Sequence, residues 1–252
     1  MKILYKTSLV ISAVLVFQGC GASRSTTRRE PSREAMATTG ALTEVFTPSS
    51  YIARPTLGVG SRYQNLLSPN SYVIWVTDEV AQLKLESETA EGTVSGESEE
   101  VLKIAQALNE RYLIMECHIE SAFQDSSIAY DITSFRQAEV FLLDDAGNRC
   151  EPLQVIVGAL ERGRKDALPI FTRVNILVFP KHDLLTGELL ISPRTREFSL
   201  VIAGYNTTYF FSWNDLSRPA RAAQIEREAQ AIRAVGLGKL ESALRFLVEN
   251  LK

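Results

Sequence analysis

The sequence predicts a mainly β protein: an antiparallel β-sandwich with flanking helices and a C-terminal amphipathic helical tail. Three observations carry this. Between residues 110 and 214, short runs rich in β-branched and aromatic residues recur, bounded by turn-forming clusters. No strand–helix alternation of the kind that builds parallel sheets runs through that region. Beyond it, the apolar residues change to helical spacing. The 45% hydrophobic fraction suits an ordinary globular core. Without the leader described next, roughly 180 residues remain, enough for one such core.

Residues 1–19 read as a signal peptide. Lys2 and Lys6 form a basic start, and Ser8 to Phe17 is nearly all apolar. As a helix that stretch covers about 15 Å, too short for a hydrocarbon core of roughly 30 Å. The stretch Phe17-Gln18-Gly19-Cys20 resembles the lipobox of bacterial lipoproteins, with Phe17 and Gln18 departing from the usual Leu and small residue. The resemblance implies lipid on Cys20 and a stable membrane anchor, because several acyl chains hold where one is marginal. By the same analogy, Gly21 stands where an aspartate commonly retains lipoproteins in the inner membrane, which points to the outer membrane. Loss of Lys2 and Lys6 takes the formal net charge from −3 to −5. That acidity, with no basic stripe among aromatics, excludes nucleic-acid binding as the main role.

Residues 20–70 read as a lipidated tether and transitional segment. Positions 21–50 are rich in Ser, Thr, Arg, Ala and Glu and hold little to bury. Arg24, Arg28, Arg29 and Arg33 lie beside the anchor, placed either for anionic headgroups or as plain solvated linker. Gly58-x-Gly60 lacks the helix start of a nucleotide loop and reads as a turn.

The sandwich domain is expected over residues 71–215, with an N-terminal helix. Tyr72 to Val76 has strand composition, and Thr77 to Ser87 fits either a helix capped by Thr77 or a second strand. Ser98 is placed to cap a helix carrying Val101, Ala105 and Leu108 on one face. Tyr112 to Ser121 alternates: Leu113, Met115, Cys117 and Ile119 on one side, Ile114, Glu116, His118 and Glu120 on the other. Val140–Leu143 and Leu153–Val157 read as a hairpin across Asp144-Asp145-Ala146-Gly147-Asn148. A polar stretch at 161–166 and a strand from Phe171 to Phe179 follow, the latter stopped by Pro180. Leu185-Thr186-Gly187 marks a turn, and Phe198–Ala203 and Tyr209–Trp213 form a last hairpin.

Residues 216–252 read as C-terminal helices, opened by Pro219 and divided at Gly236 and Gly238. Leu240, Ala243, Leu244, Leu247, Val248 and Leu251 share a helical stripe. That stripe docks on the protein's own sandwich, or it serves a protein partner or self-association.

Candidate chemistry is sparse. Glu116, His118 and Glu120 share one strand face, so an N,O metal site is conceivable, yet an ordinary half-exposed sheet surface has the same pattern. His182-Asp183 is half of many acid–base sets, but no G-x-S-x-G elbow accompanies it. Cys117 and His118 are adjacent in one strand and point to opposite faces, which opposes a Cys-His nucleophile pair. Cys117 and Cys150 either form a disulfide closing a loop of about 34 residues or remain two buried thiols. No Walker loop, paired-Cys zinc motif or H-E-x-x-H is present. No catalytic residue, metal or cofactor is therefore assigned.

The β region at 110–214 loosely resembles sandwich domains of uncharacterised bacterial lipoproteins. The shared features are the Asp-Gly hairpin before Pro152, the Phe179-Pro180 strand end and Phe211-Ser212-Trp213. The expected function is a lipid-anchored envelope protein acting as a non-enzymatic scaffold or accessory subunit. The alternatives are an envelope module binding metal, sugar or lipid, and a hydrolase using His182 or Asp183.

Overall fold

The computed structural model describes residues 50–62, 66–90, 96–123, 125–183, 186–192, 194–214, 222–235 and 238–250. In chain order the elements are β1 (Ile52–Ala53), β2 (Pro55–Leu57), β3 (Tyr72–Trp75), α1 (Asp78–Ala90), α2 (Gly96–Asn109), β4 (Tyr112–Ser121), α3 (Ser126–Thr133), β5 (Ala138–Asp144) and β6 (Arg149–Cys150). Then come β7 (Gln154–Val157), β8 (Glu161–Lys165), β9 (Leu168–Pro180), β10 (Glu197–Gly204), β11 (Thr207–Asn214), α4 (Ala222–Val235) and α5 (Gly238–Asn250). Two antiparallel sheets result. One runs β1-β3-β4-β9-β7, with β8 also on β9; the other runs β2-β11-β10-β5-β6. The protein is a β-sandwich with flanking helices, as its sequence predicts.

The alternation of β4 explains its burial on both faces. Leu113, Met115, Cys117 and Ile119 join Leu177 and Phe179 of β9 against Phe198, Leu200 and Ile202 of β10 and Tyr209, Phe211 and Trp213 of β11. Phe198 stacks on Trp213 with ring centroids 5.0 Å apart and meets the edge of Trp75 at 5.2 Å. On the other face Ile114, Ile176 and Val178 pack under a helix layer. That layer brings Ala81 and Leu85 of α1, Val101, Ala105 and Leu108 of α2, and Leu240, Ala243, Leu244 and Leu247 of α5. Ile232 of α4 meets Ile74 and Val80. The apolar stripe of the last helix therefore docks on the protein's own sheet.

Several expectations are corrected. Residues 52–57, read as part of the transitional segment, supply β1 against β3 and β2 against β11. Of the two readings of 77–87 the helix holds: α1 runs Asp78–Ala90, and Val80 N donates to Thr77 Oγ1 at 3.3 Å at its start. The helix expected from Ser98 begins earlier, at Gly96. The 140–157 segment is not a single hairpin: β5 turns back into β6, and β7 lies in the other sheet beside β9. Pro152 stands at that switch, where a residue without an N–H ends a ladder. The polar stretch at 161–165 is an exposed strand, because an edge hairpin needs no apolar alternation. It turns into β9 through Asp166 and Ala167, both at positive φ, the type I′ geometry that Tyr205 and Asn206 repeat between β10 and β11. Helix α3, unforeseen, starts at Asp125, whose side chain accepts from the backbone N–H groups of Ser127 and Ile128.

Cys117 and Cys150 are free thiols, the first buried and the second half-buried. They sit on β4 and β6, in different sheets. Cys20, Leu185, Pro219 and Leu251 lie outside the described residues.

Candidate functional site

The strand face that carries Glu116, His118 and Glu120 is graded: Glu116 is buried, while His118 and Glu120 are half-buried. It is partly roofed by helices, and the roof changes its chemistry. Lys84 of α1 comes down onto Glu116; the two are 0% and 1% exposed. Lys84 Nζ donates to Glu116 Oε1 at 3.0 Å and makes an ion contact with Oε2 at 2.9 Å, outside hydrogen-bond geometry. His118 Nε2 lies 2.6 Å from Oε1. A carboxylate only accepts, so this nitrogen carries the hydrogen. Tyr72, opposite His118 in the ladder, stacks on its ring at 4.4 Å and 11°.

Two opposing effects act on Glu116. Burial pushes its carboxyl upward, but the His118 hydrogen bond and the Lys84 charge outweigh it and hold the group below the ordinary glutamate value. Tyr72 moves the other way: burial and the Glu116 charge raise its phenol, against a lowering effect of Arg54. Burial raises the Cys117 thiol well above its usual value. Burial and then the charges of Asp183 and Glu151 raise Cys150. Neither cysteine is activated as a thiolate nucleophile.

The remaining sequence candidates are dispersed. Glu120 takes hydrogen bonds from Ser68 Oγ at 2.6 Å and Asn70 Nδ2 at 2.9 Å, fastening the loop before β3 instead of joining Glu116. Among the described residues no group of three His, Cys, Asp or Glu is placed to hold a metal ion. His182 is exposed and bridges to Leu189, while Asp183 Oδ1 accepts from Thr186 N in a turn. Asp144 closes the β5–β6 turn by accepting from the N–H groups of Ala146 and Asn148.

Lys84 and Tyr72 are the members that sequence reasoning missed. Val80, Ala81 and Lys84 share one side of α1 at helical spacing, and a lysine in an apolar stripe is a signal for a buried charge needing a partner. An open groove of about 500 Å³ lies by α2 and α5, lined by Ile104, Leu108, Tyr112 and Val248 among others, and another of about 400 Å³ includes Ser199, Phe210 and Ser212. Neither is lined by Lys84, Glu116 or His118. With Lys84 and Glu116 buried, the cluster fastens α1 to β4, and His118 is its half-buried member. No family model, no curated protein and no solved structure matches the chain at significance.

Proposed function

We propose that this chain is a lipid-anchored cell-envelope protein, held at the outer membrane through lipid on Cys20, that works as a non-enzymatic scaffold or accessory subunit. The observation that carries it is Phe17-Gln18-Gly19-Cys20 behind a short apolar run with a basic start. The domain supports a structural role, since its most site-like polar cluster ties a helix to a strand. A partner contact through the C-terminal helix would fall on solvent-side residues such as Phe246 and Val248, each 42% exposed, because the apolar stripe of α5 is already buried. Among the described residues no helix is long and apolar enough to cross a membrane.

Metabolic labelling with an alkyne fatty acid, followed by membrane sedimentation, tests the reading. The wild-type chain should be labelled and sediment with membranes, and Cys20→Ser should be unlabelled and released. A Cys20→Ser chain that keeps both label and membrane association overturns the proposal.

A further inference from the structure

Three charged side chains are buried among the described residues: Lys84, Glu116 and Arg173. The first two neutralise each other. Arg173, on β9 and 3% exposed, has no carboxylate partner among the described residues, and its Nε has no hydrogen-bond partner. Its guanidinium carbon stands 4.6 Å from the ring of Tyr130 on α3. A cation–π contact offsets only part of the cost of taking a charge out of water.

The ladder register shows what surrounds it. Arg173 lies opposite Ile119, and Phe171 opposite Ser121. Arg162 of β8 lies opposite Phe171, and Arg164 opposite Pro169. Opposed residues share a face and alternate residues return to it, so Arg162, Arg164 and Arg173 lie on one face of the β8–β9 hairpin. The Arg162 guanidinium stands 5.8 Å from the centre of the Phe171 ring. Glu161 pairs with Thr172 and falls on the opposite face. The nearest helix, α3, brings two carboxylates, both already engaged. Asp125 caps the helix, and Asp131 accepts from Gln137 Nε2 and the Tyr205 hydroxyl. Three arginines thus share a face with no carboxylate of their own hairpin on it.

We propose that this face is a receptor for a phosphate-type oxyanion, with Arg173 as its buried anchor and Arg162 and Arg164 as its exposed arms. A guanidinium presents a planar fork of donors matched to two oxygens of a phosphate. Tyr130 holds the Arg173 plane and, at 44% exposure, stands at the surface above it. Two further exposed charges draw a doubly negative group and weaken their hold as salt rises. A free phosphate ester and a phospholipid headgroup carry the same chemistry. The proposal is independent of the lipid anchor and of the scaffold reading.

Titration calorimetry on the purified full chain tests it, with inorganic phosphate and soluble dihexanoyl phosphatidic acid as probes. Wild type should bind at least one of them. Arg173→Met should weaken that binding at least about tenfold, as for loss of a charged bidentate contact. Its thermal midpoint should hold or rise, because an unpaired buried charge is gone. Arg162→Gln with Arg164→Gln should weaken binding several-fold, and Arg149→Gln, on the other sheet, should not. Tighter binding of phosphatidic acid assigns a lipid headgroup; equal or tighter binding of inorganic phosphate assigns a soluble phosphate. Failure of wild type to bind either probe overturns the proposal, as does unchanged binding in Arg173→Met. If Arg173→Met does not fold, the exposed double variant decides, and unchanged binding there is equally fatal.

Discussion

At the scale of single residues, the decisive interaction is the one between Lys84 and Glu116. Both are desolvated, so Lys84 needs the Glu116 charge, while Glu116 is held by Lys84 together with the hydrogen bond from His118. A pair of this kind is a weak contributor relative to well-packed apolar residues, but removing Lys84 leaves the Glu116 carboxylate buried with only the His118 hydrogen bond to hold it. Lys84→Met should therefore cost about 3–5 kcal/mol. Adding Glu116→Leu to it should recover most of that loss, since the orphaned carboxylate is removed with its partner. Urea unfolding of the two variants and wild type checks this. A double variant as unstable as the single one would mean that the pair holds α1 by more than charge balance.

Among the elements, α5 shows how one sequence pattern serves two different structural ends. Its stripe of Leu240, Ala243, Leu244 and Leu247 is as suitable for a partner groove as for a sheet. In the folded chain it covers Ile114, Ile176 and Val178, the outward face of the six-stranded sheet. Leu244 is completely buried there. Leu244→Ala should lower stability by about 2–5 kcal/mol, the usual cost of a core cavity. A helix kept for a partner alone would lose almost nothing in the isolated protein. Thermal or urea unfolding of the full chain separates the two. Strand β8 is the contrasting element: exposed along its length, it is held only by its ladder to β9 and a type I′ turn.

At the scale of the whole described domain, helices cover one sheet and that sheet packs on another, and the Glu116 buried between a helix and a strand contributes to the response to acid. Glu116 holds its proton less readily folded than unfolded. The unfolded chain therefore binds more protons as pH drops, and the contribution of Glu116 is complete above its ordinary value of about 4.3. It is lost progressively as pH falls below that value and through the lower folded one. Unfolding midpoints measured between neutral pH and pH 3 should show a steeper acid loss in wild type than in the Lys84→Met, Glu116→Leu double variant. Parallel acid limbs would show that Glu116 carries no linkage.

Local pattern was enough for what depends on neighbours in the chain. The alternation of Tyr112 to Ser121 defines which residues face together, and the hairpin of β10 and β11 follows from two strands and a tight turn. The helical stripe of α5 was equally readable. Short elements were not: β1 and β2 have too few residues for any period to show, and β8 has no apolar side to mark it. In α3 the Asp125 cap and the Ile128, Ala129 and Ile132 spacing were present but brief. By itself, then, the sequence determined the β class, the faces of its long strands and the amphipathic tail, because period and turn chemistry are local. Only the tertiary structure decided that Glu116 faces a lysine under a helix, that Cys117 and Cys150 lie in different sheets, and that Arg173 is buried beside Tyr130. Those outcomes depend on which distant segments meet, and the free energy of a charge or a thiol is set by what it meets.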